Sequence, residues 1–235
     1  MLIRPQNLRE NLQKVRLRIA AAAADCSRNV DSVTLLAVGK GQSADSLAAA
    51  AALGQRDFGE NYLQEALPKI ETLRHLGLGW HFIGQVQSNK TREIASHFDW
   101  VHTVDRAKIA LRLSEQRPPQ LAPLQACIQV RLGDEPGKGG VEPAEAAALV
   151  AAIRDLPRLT LRGLMCVPPA EATWAAQRTW FAQVRTLRDS LVAASPGLEL
   201  DALSMGMSGD LEAAIAEGAT LVRVGTALFG PRHRA

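Results

Sequence analysis

Lys40 ends the apolar run Leu35-Leu36-Ala37-Val38 and has Gly39 and Gly41 on either side. A lysine at the end of a buried strand has two possible fates. It can run its apolar stem along the surface and keep the ammonium in water. Held instead in an apolar mouth, it loses hydration, which favours the neutral amine. A neutral amine attacks an aldehyde and forms a Schiff base. Near the other end of the chain, Ser204-Met205-Gly206-Met207-Ser208-Gly209 and Gly225-Thr226 each follow an apolar run. Ser204, Ser208 and Thr226 offer hydroxyls, and the glycines permit close backbone approach. Ser208 is placed to cap a helix whose first N–H groups would face an anion. These are either two ordinary strand-to-helix turns or a phosphate site. Arg223, inside Leu221-Val222-Arg223-Val224, stays charged at neutral pH and only donates.

The elements that must position these groups follow from periodicity. Leu8, Leu12, Val15 and Ile19 form one helical stripe, so residues 1–28 are expected to contain a leading helix with a solvated basic face. Strands are expected at 33–38, 56–59, 80–83, 100–103, 124–130, 159–164, 198–203 and 221–224. Helices are expected between them at 43–53, 61–75, 88–98, 105–116, 142–154, 171–193 and 208–217. Strands alternating with helices imply a parallel sheet, and eight of them point to an α/β fold, a single (β/α)8 TIM barrel over 33–230 with an extra amino-terminal helix. In such barrels functional groups gather at the carboxyl ends of the strands, often with phosphate between the loops after strands seven and eight. Lys40, Arg223 and both serine/glycine turns fall there.

Composition excludes several classes. The 235 residues are 47% hydrophobic and 22% charged, ordinary for a globular chain with a sizeable core. The net charge of +3 is scattered, and only 4% of residues are aromatic, which argues against nucleic acid as a partner. No apolar run is long enough to span a membrane. The three cysteines, Cys26, Cys127 and Cys166, match no zinc or redox spacing, so a reducing, cytoplasmic compartment is expected.

An amine for an aldehyde, hydroxyls for a phosphate and an arginine for a ring nitrogen together suit pyridoxal 5′-phosphate. An arginine there leaves the pyridine nitrogen unprotonated and the ring a poor electron sink. That disfavours chemistry through a strongly stabilised carbanion. The stretches "LLAVGK", "FGENYLQE", "HFIGQVQSNK", "LRGLMCVP" and "LSMGMSGDLEAAIAEGATLVRVGTALFG" resemble the YggS/PROSC family of pyridoxal-phosphate-binding homeostasis proteins over residues 5–232. The resemblance implies a barrel like the amino-terminal domain of alanine racemase. It makes Lys40 the Schiff-base lysine, assigns phosphate to Ser204, Ser208, Gly225 and Thr226, and sets Arg223 at the pyridine nitrogen. It puts Asn61 and His81 in the cofactor pocket, and Lys138 at a mobile-loop position where the family often has a lysine. It also implies a protein that is not an enzyme: one that holds the cofactor, passes it to acceptor apo-enzymes and so takes part in vitamin B6 balance.

The chain departs from the family in having Gly39 and Gly41 where Ser and Thr are usual, and Gln85-Val86 where Pro-Leu is frequent. Missing hydroxyls and a looser loop are expected to let the cofactor go more readily. Two other readings stay open. A racemase needs an acid/base on each face of the substrate carbon. In enzymes with this barrel the second is a tyrosine from an additional carboxyl-terminal domain. This chain ends at Ala235, shortly after the last expected strand, so that domain is expected to be absent and a monomer is expected. The sole tyrosine, Tyr62, lies early in an expected helix. A Schiff-base aldolase acting on a sugar phosphate would also use a barrel, a lysine and a phosphate site.

Overall fold

The computed structural model describes residues 5–133, 139–171 and 173–230. Among them, eight strands close into one parallel barrel: β1 Thr34–Val38, β2 Asp57–Glu60, β3 Gly79–Phe82, β4 Trp100–Val104, β5 Leu124–Val130, β6 Leu159–Cys166, β7 Ala202–Ser204 and β8 Leu221–Val224. Each strand pairs with the next in sequence, and β8 returns to β1 with Leu36 opposite Arg223. The connecting helices are α2 Ala44–Ala52, α3 Leu63–Leu73, α4 Thr91–His97, α5 Ala107–Gln116, α6 Ala146–Ile153, α7 Trp174–Ala194 and α8 Leu211–Ala216. They follow a leading α1 Pro5–Asp25, and a short α9 Thr226–Phe229 succeeds β8.

The two-residue period of a strand sends alternate side chains to opposite faces. Ala37, Ile128, Val222 and Val224 join the helix residues Leu47, Ile94 and Ile109 in the outer apolar layer. Cys127, Met165, Ala202 and Leu221 form a separate cluster inside the barrel. The interior also holds polar residues, all buried: His81, His102, Ser204 and Arg223.

The leading helix buries its expected stripe, with Leu8, Leu12, Val15 and Ile19 at most 3% exposed. Each such side chain contributes about 1.5–3 kcal/mol to docking. The helix packs on α2, α8 and α9. Asn11 Nδ2 donates to Leu228 O at 2.9 Å, and Arg18 donates to Glu212 Oε1 at 2.6 Å and to Ser208 O at 3.0 Å. It thus braces the segments that follow β7 and β8.

Several boundaries differ from the sequence expectation, and two matter for the site. The strand expected at 198–203 is the shorter β7, which begins four residues later and ends one residue later, with Leu198 and Leu200 packed in the outer core ahead of it. Ser204 therefore belongs to the barrel wall. Ser208 is not a helix cap: α8 starts at Leu211 after Asp210, whose Oδ1 accepts instead from Met207 N at 2.5 Å. The helix expected from 88 is a 3₁₀ turn, Ser88–Lys90, leading into α4.

Candidate functional site

A cavity of about 390 Å³ opens at the carboxyl ends of the strands. Lys40, Asn61, Ser208, Arg223, Gly225 and Thr226 border it, with Val38, Ile83, Met165 and Met207 as apolar wall. Its size suits a small organic ligand, for which pockets of roughly 300–1,000 Å³ are usual. A larger cavity of about 780 Å³ lies at the amino-terminal end, between α1 and the starts of β1 and β2. It has no amine or buried cation aimed into a confined space, so the carboxyl-end cavity is the one equipped for chemistry.

Lys40 is presented by a turn built on two glycines. Gly41 has φ +71°, a left-handed conformation that a β-branched residue resists. Its N–H donates to Glu65 Oε2 at 2.8 Å. A Cβ on Gly39 would lie 2.4 Å from Glu60 Oε1 and 3.1 Å from Leu47. Beneath this turn Lys69 Nζ donates to Gly39 O and to Glu60 Oε1, each at 2.8 Å. Glu60 is fully buried and its Oε2 makes no hydrogen bond. Burial pushes the Glu60 carboxyl above the usual range, against the pull of Lys69. The glycine at 39 thus makes room for a buried ion pair that grips the turn. The Lys40 ammonium donates to Tyr62 Oη at 3.2 Å and sits 4.7 Å from the centre of the same ring.

Arg223 enters from the opposite wall. It is buried, and Nη1 donates to Ser204 O at 2.6 Å and Ser204 Oγ at 2.9 Å, while Nη2 donates to Cys166 O at 2.8 Å. Desolvation lowers its pKa from the ordinary arginine value, yet an arginine remains a cation. Between Lys40 and Arg223, Ser208 and Thr226 add hydroxyls. Ser208 Oγ accepts from Ala227 N at 3.4 Å, which ties the two turns together. Gly225 lies against β1, where a Cβ would meet Val38 Cβ at 3.3 Å. Asn61 is brought up by Gly84, whose missing side chain leaves space for Asn61 O, 2.0 Å from where a Cβ would be.

Two expected site residues sit elsewhere. Ser204 does not border the cavity; its hydroxyl is engaged by Arg223 and by His102 Nδ1 at 2.7 Å, so it supports the arginine and is not offered to a phosphate. His81 points into the barrel from the middle of β3. Its Nδ1 is 3.0 Å from His102 Nε2, its Nε2 is 3.3 Å from Asp57 Oδ1, and its ring stacks on Trp100. Lys138 lies outside the described residues. Tyr62, Glu60, Lys69 and His102 are site-building residues that the sequence reading did not single out for these roles. The one available signal was the sequence Gly59-Glu60-Asn61-Tyr62 at the carboxyl end of the short second strand.

Cys127 and Cys166 are buried thiols pushed up to about 12 by desolvation, which makes them poor nucleophiles. Among the described residues no three His, Cys, Asp or Glu side chains group as metal ligands, and no helix is long and apolar enough to cross a membrane. An amine, a buried guanidinium and two hydroxyls around one cavity are a donor set for a phosphorylated carbonyl compound.

Comparison with known proteins agrees. Residues 3–233 match the family model described as alanine racemase, N-terminal domain. The chain is 56% identical over 223 residues to the pyridoxal phosphate homeostasis protein of Pseudomonas aeruginosa, covering 95% of both chains. It is 48% identical over 229 residues to the protein of that name from Escherichia coli, covering 96% of this chain and 97% of the other. PipY of Synechococcus elongatus, solved with PLP bound, superposes with a TM-score of 0.83 at 39% identity, covering 95% of this chain and all (100%) of that one. Alanine racemase of Corynebacterium glutamicum shares the fold, with a TM-score of 0.71 at 16% identity over 98% of this chain and 62% of that one. The chain therefore belongs to the alanine racemase N-terminal domain family, among its pyridoxal phosphate homeostasis proteins.

Proposed function

We propose that this chain binds pyridoxal 5′-phosphate as a Schiff base on Lys40 and serves vitamin B6 homeostasis by holding the cofactor and releasing it to acceptor apo-enzymes, without catalytic turnover. The observation that carries the reading is the Lys40 amine and the Arg223 guanidinium facing one cavity whose remaining polar wall is Ser208, Gly225 and Thr226. The donor set fits the cofactor: an amine for its aldehyde, hydroxyls and glycine backbone for its phosphate, and a permanent cation for its ring nitrogen. Relatives named for pyridoxal phosphate homeostasis and a neighbour solved with the cofactor support it.

When bound, the cofactor would supply an aldehyde for the Lys40 amine. The protein's part is binding and orientation. Tyr62 Oη accepts a hydrogen bond from Lys40 Nζ and so orients it. Ser208 and Thr226 hydroxyls with the Gly225 backbone hold the phosphate end, and Asn61 borders the cavity beside them. Arg223 donates and cannot lose its proton, so the ring nitrogen it faces stays unprotonated. That restrains reactions needing a protonated ring and suits a carrier.

A racemase is the second reading. Tyr62 is the group nearest Lys40, so the two stand together, where two-base racemisation wants an acid/base on each face. Purified loaded protein should show amino-acid racemisation well below 1 s⁻¹, roughly a tenth of the median enzyme rate; turnover at or above that value would replace the carrier reading. We extend the proposal to a monomer in a reducing, cytoplasmic compartment, in keeping with the free thiols of Cys26, Cys127 and Cys166. Light scattering after size exclusion tests the former, and a stable dimer would contradict it. The principal test is spectroscopic. Incubation with pyridoxal 5′-phosphate should give an absorbance band near ~420 nm that Lys40→Ala abolishes; a colourless protein would favour a substrate-imine aldolase.

A further inference from the structure

Arg223 is a buried cation whose hydrogen-bond acceptors among the described residues are all neutral: Ser204 O, Ser204 Oγ and Cys166 O. Burying a charge without compensation is unfavourable by several kcal/mol. Asp210 is near enough to favour the charged form, although no hydrogen bond joins the two among the described residues. A second route of compensation runs through the barrel interior. From Arg223 Nη1 the contacts run to Ser204 Oγ at 2.9 Å and from there to His102 Nδ1 at 2.7 Å. They continue from His102 Nε2 to His81 Nδ1 at 3.0 Å and from His81 Nε2 to Asp57 Oδ1 at 3.3 Å. Five side chains from β8, β7, β4, β3 and β2 thus form one line. It starts at the carboxyl-end cavity, which Arg223 borders, and ends at the amino-terminal cavity, which Asp57 borders.

With both imidazoles neutral and Asp57 ionised, only one arrangement of protons satisfies every contact. Arg223 can only donate, so Ser204 Oγ accepts from it. In that arrangement the Ser204 hydroxyl proton goes to His102 Nδ1, which is unprotonated. A neutral imidazole with a bare Nδ1 carries its proton on Nε2, which donates to His81 Nδ1. His81 in turn carries its proton on Nε2 and donates it to the Asp57 carboxylate. Every bond points the same way, from cation to anion. Burial, with His81 and Arg223 nearby, holds His102 well below the usual histidine range, in keeping with a neutral ring. Gly79 is part of the design, because a Cβ there would lie 2.7 Å from Asp57 Oδ1.

We propose that Asp57, His81, His102 and Ser204 are positioning residues for Arg223: a polarised hydrogen-bond line that fixes the guanidinium in the cofactor cavity and adds to the balance of its charge from the far end of the barrel. The functional half rests on the cofactor reading above; the line itself does not.

The test therefore has two arms on the full-length protein. The first uses cofactor-free protein and long-range ¹H–¹⁵N NMR of the imidazoles. Both His81 and His102 should carry their proton on Nε2, and Asp57→Ala should shift the His102 resonances although the two residues do not touch. A protonated Nδ1 on His102, or His102 signals indifferent to Asp57→Ala, overturns the line. The second arm measures affinity for pyridoxal 5′-phosphate and the pH dependence of the ~420 nm band. Asp57→Ala should weaken binding by roughly three- to tenfold, as expected for losing part of a charge-assisted hydrogen bond. Asp57→Asn keeps an acceptor but not the charge and should restore only part of that loss. Asp57 is half-exposed, so these variants should fold where His102 variants need not; thermal melts of each confirm it. Folded Asp57 variants with unchanged affinity and unchanged pH profile would overturn the positioning role. A wild-type protein that binds no cofactor would refute the functional reading alone, and the first arm would still decide the line.

Discussion

The two walls of the cofactor cavity are held by opposite means. Beneath Lys40 lies a short ion pair, Lys69 with Glu60, with Glu65 Oε2 3.9 Å from the same ammonium. Behind Arg223 lies a line through Ser204, His102 and His81, which crosses the barrel before it meets the Asp57 carboxylate. A buried ion pair is rigid but intolerant, because removing one partner strands the other charge. A line of hydrogen-bonded groups spreads compensation over several bonds, so each change is felt less. The reacting lysine thus sits on the brittle support and the electrostatic arginine on the graded one.

The largest effect should come from breaking the brittle side. Lys69→Met leaves Glu60 buried and unpaired and should cost about 3–5 kcal/mol. Adding Glu60→Leu should recover most of it. Chemical denaturation of the single and double variants checks this, and a double variant as unstable as the single would contradict the account of Lys69 and Glu60 as a buried ion pair. Next is Gly39→Ser, whose Cβ would lie 2.4 Å from Glu60 Oε1. Overpacking of this kind costs about 1–3 kcal/mol. In the Glu60→Leu/Lys69→Met background the same change should cost less if the carboxylate is the obstacle. Ser204→Ala, on the graded side, should cost about 1–3 kcal/mol, because it leaves His102 Nδ1 without its donor in the core.

The smallest effect is a pH dependence. Glu60 has its folded pKa raised above the ordinary value of 4.5. A raised carboxylate binds its proton more tightly when folded, so its contribution is most favourable below 4.5 and is lost as pH rises through the folded value. The stability of wild type relative to Glu60→Gln should fall across that window. A difference that stays flat, or rises with pH, would show that Lys69 outweighs burial.

The glycines beside Lys40 illustrate what sequence could and could not convey. Read alone, Gly39 and Gly41 look like missing hydroxyls and a looser turn. In the fold, Gly39 is the space Glu60 occupies, and Gly41 has the positive φ that a threonine would strain. A Gly39→Ser/Gly41→Thr variant therefore changes the packing as well as adding hydroxyls, and cofactor retention in it must be read against its stability. The barrel itself was legible because strand and helix periods alternate so regularly. Lys40, Ser208, Arg223, Gly225 and Thr226 were legible because each closely follows or ends an apolar strand. Ser204 and His81 were assigned to the pocket because a sequence gives order along a strand but not depth within a barrel. A one-residue shift in the end of β7 moved Ser204 from the turn into the wall. Lys69 resembles any solvated helix lysine, and His102 any polar residue in a strand, until the interior they face is known.

The most direct measurement is borohydride reduction of the protein loaded with pyridoxal 5′-phosphate, followed by peptide mass spectrometry. The peptide containing Lys40 should carry the reduced cofactor at near-stoichiometric yield, and Lys40→Ala should remove it without transferring it elsewhere. Label found chiefly on another lysine, or on none, would contradict the assignment of Lys40 as the imine-forming residue.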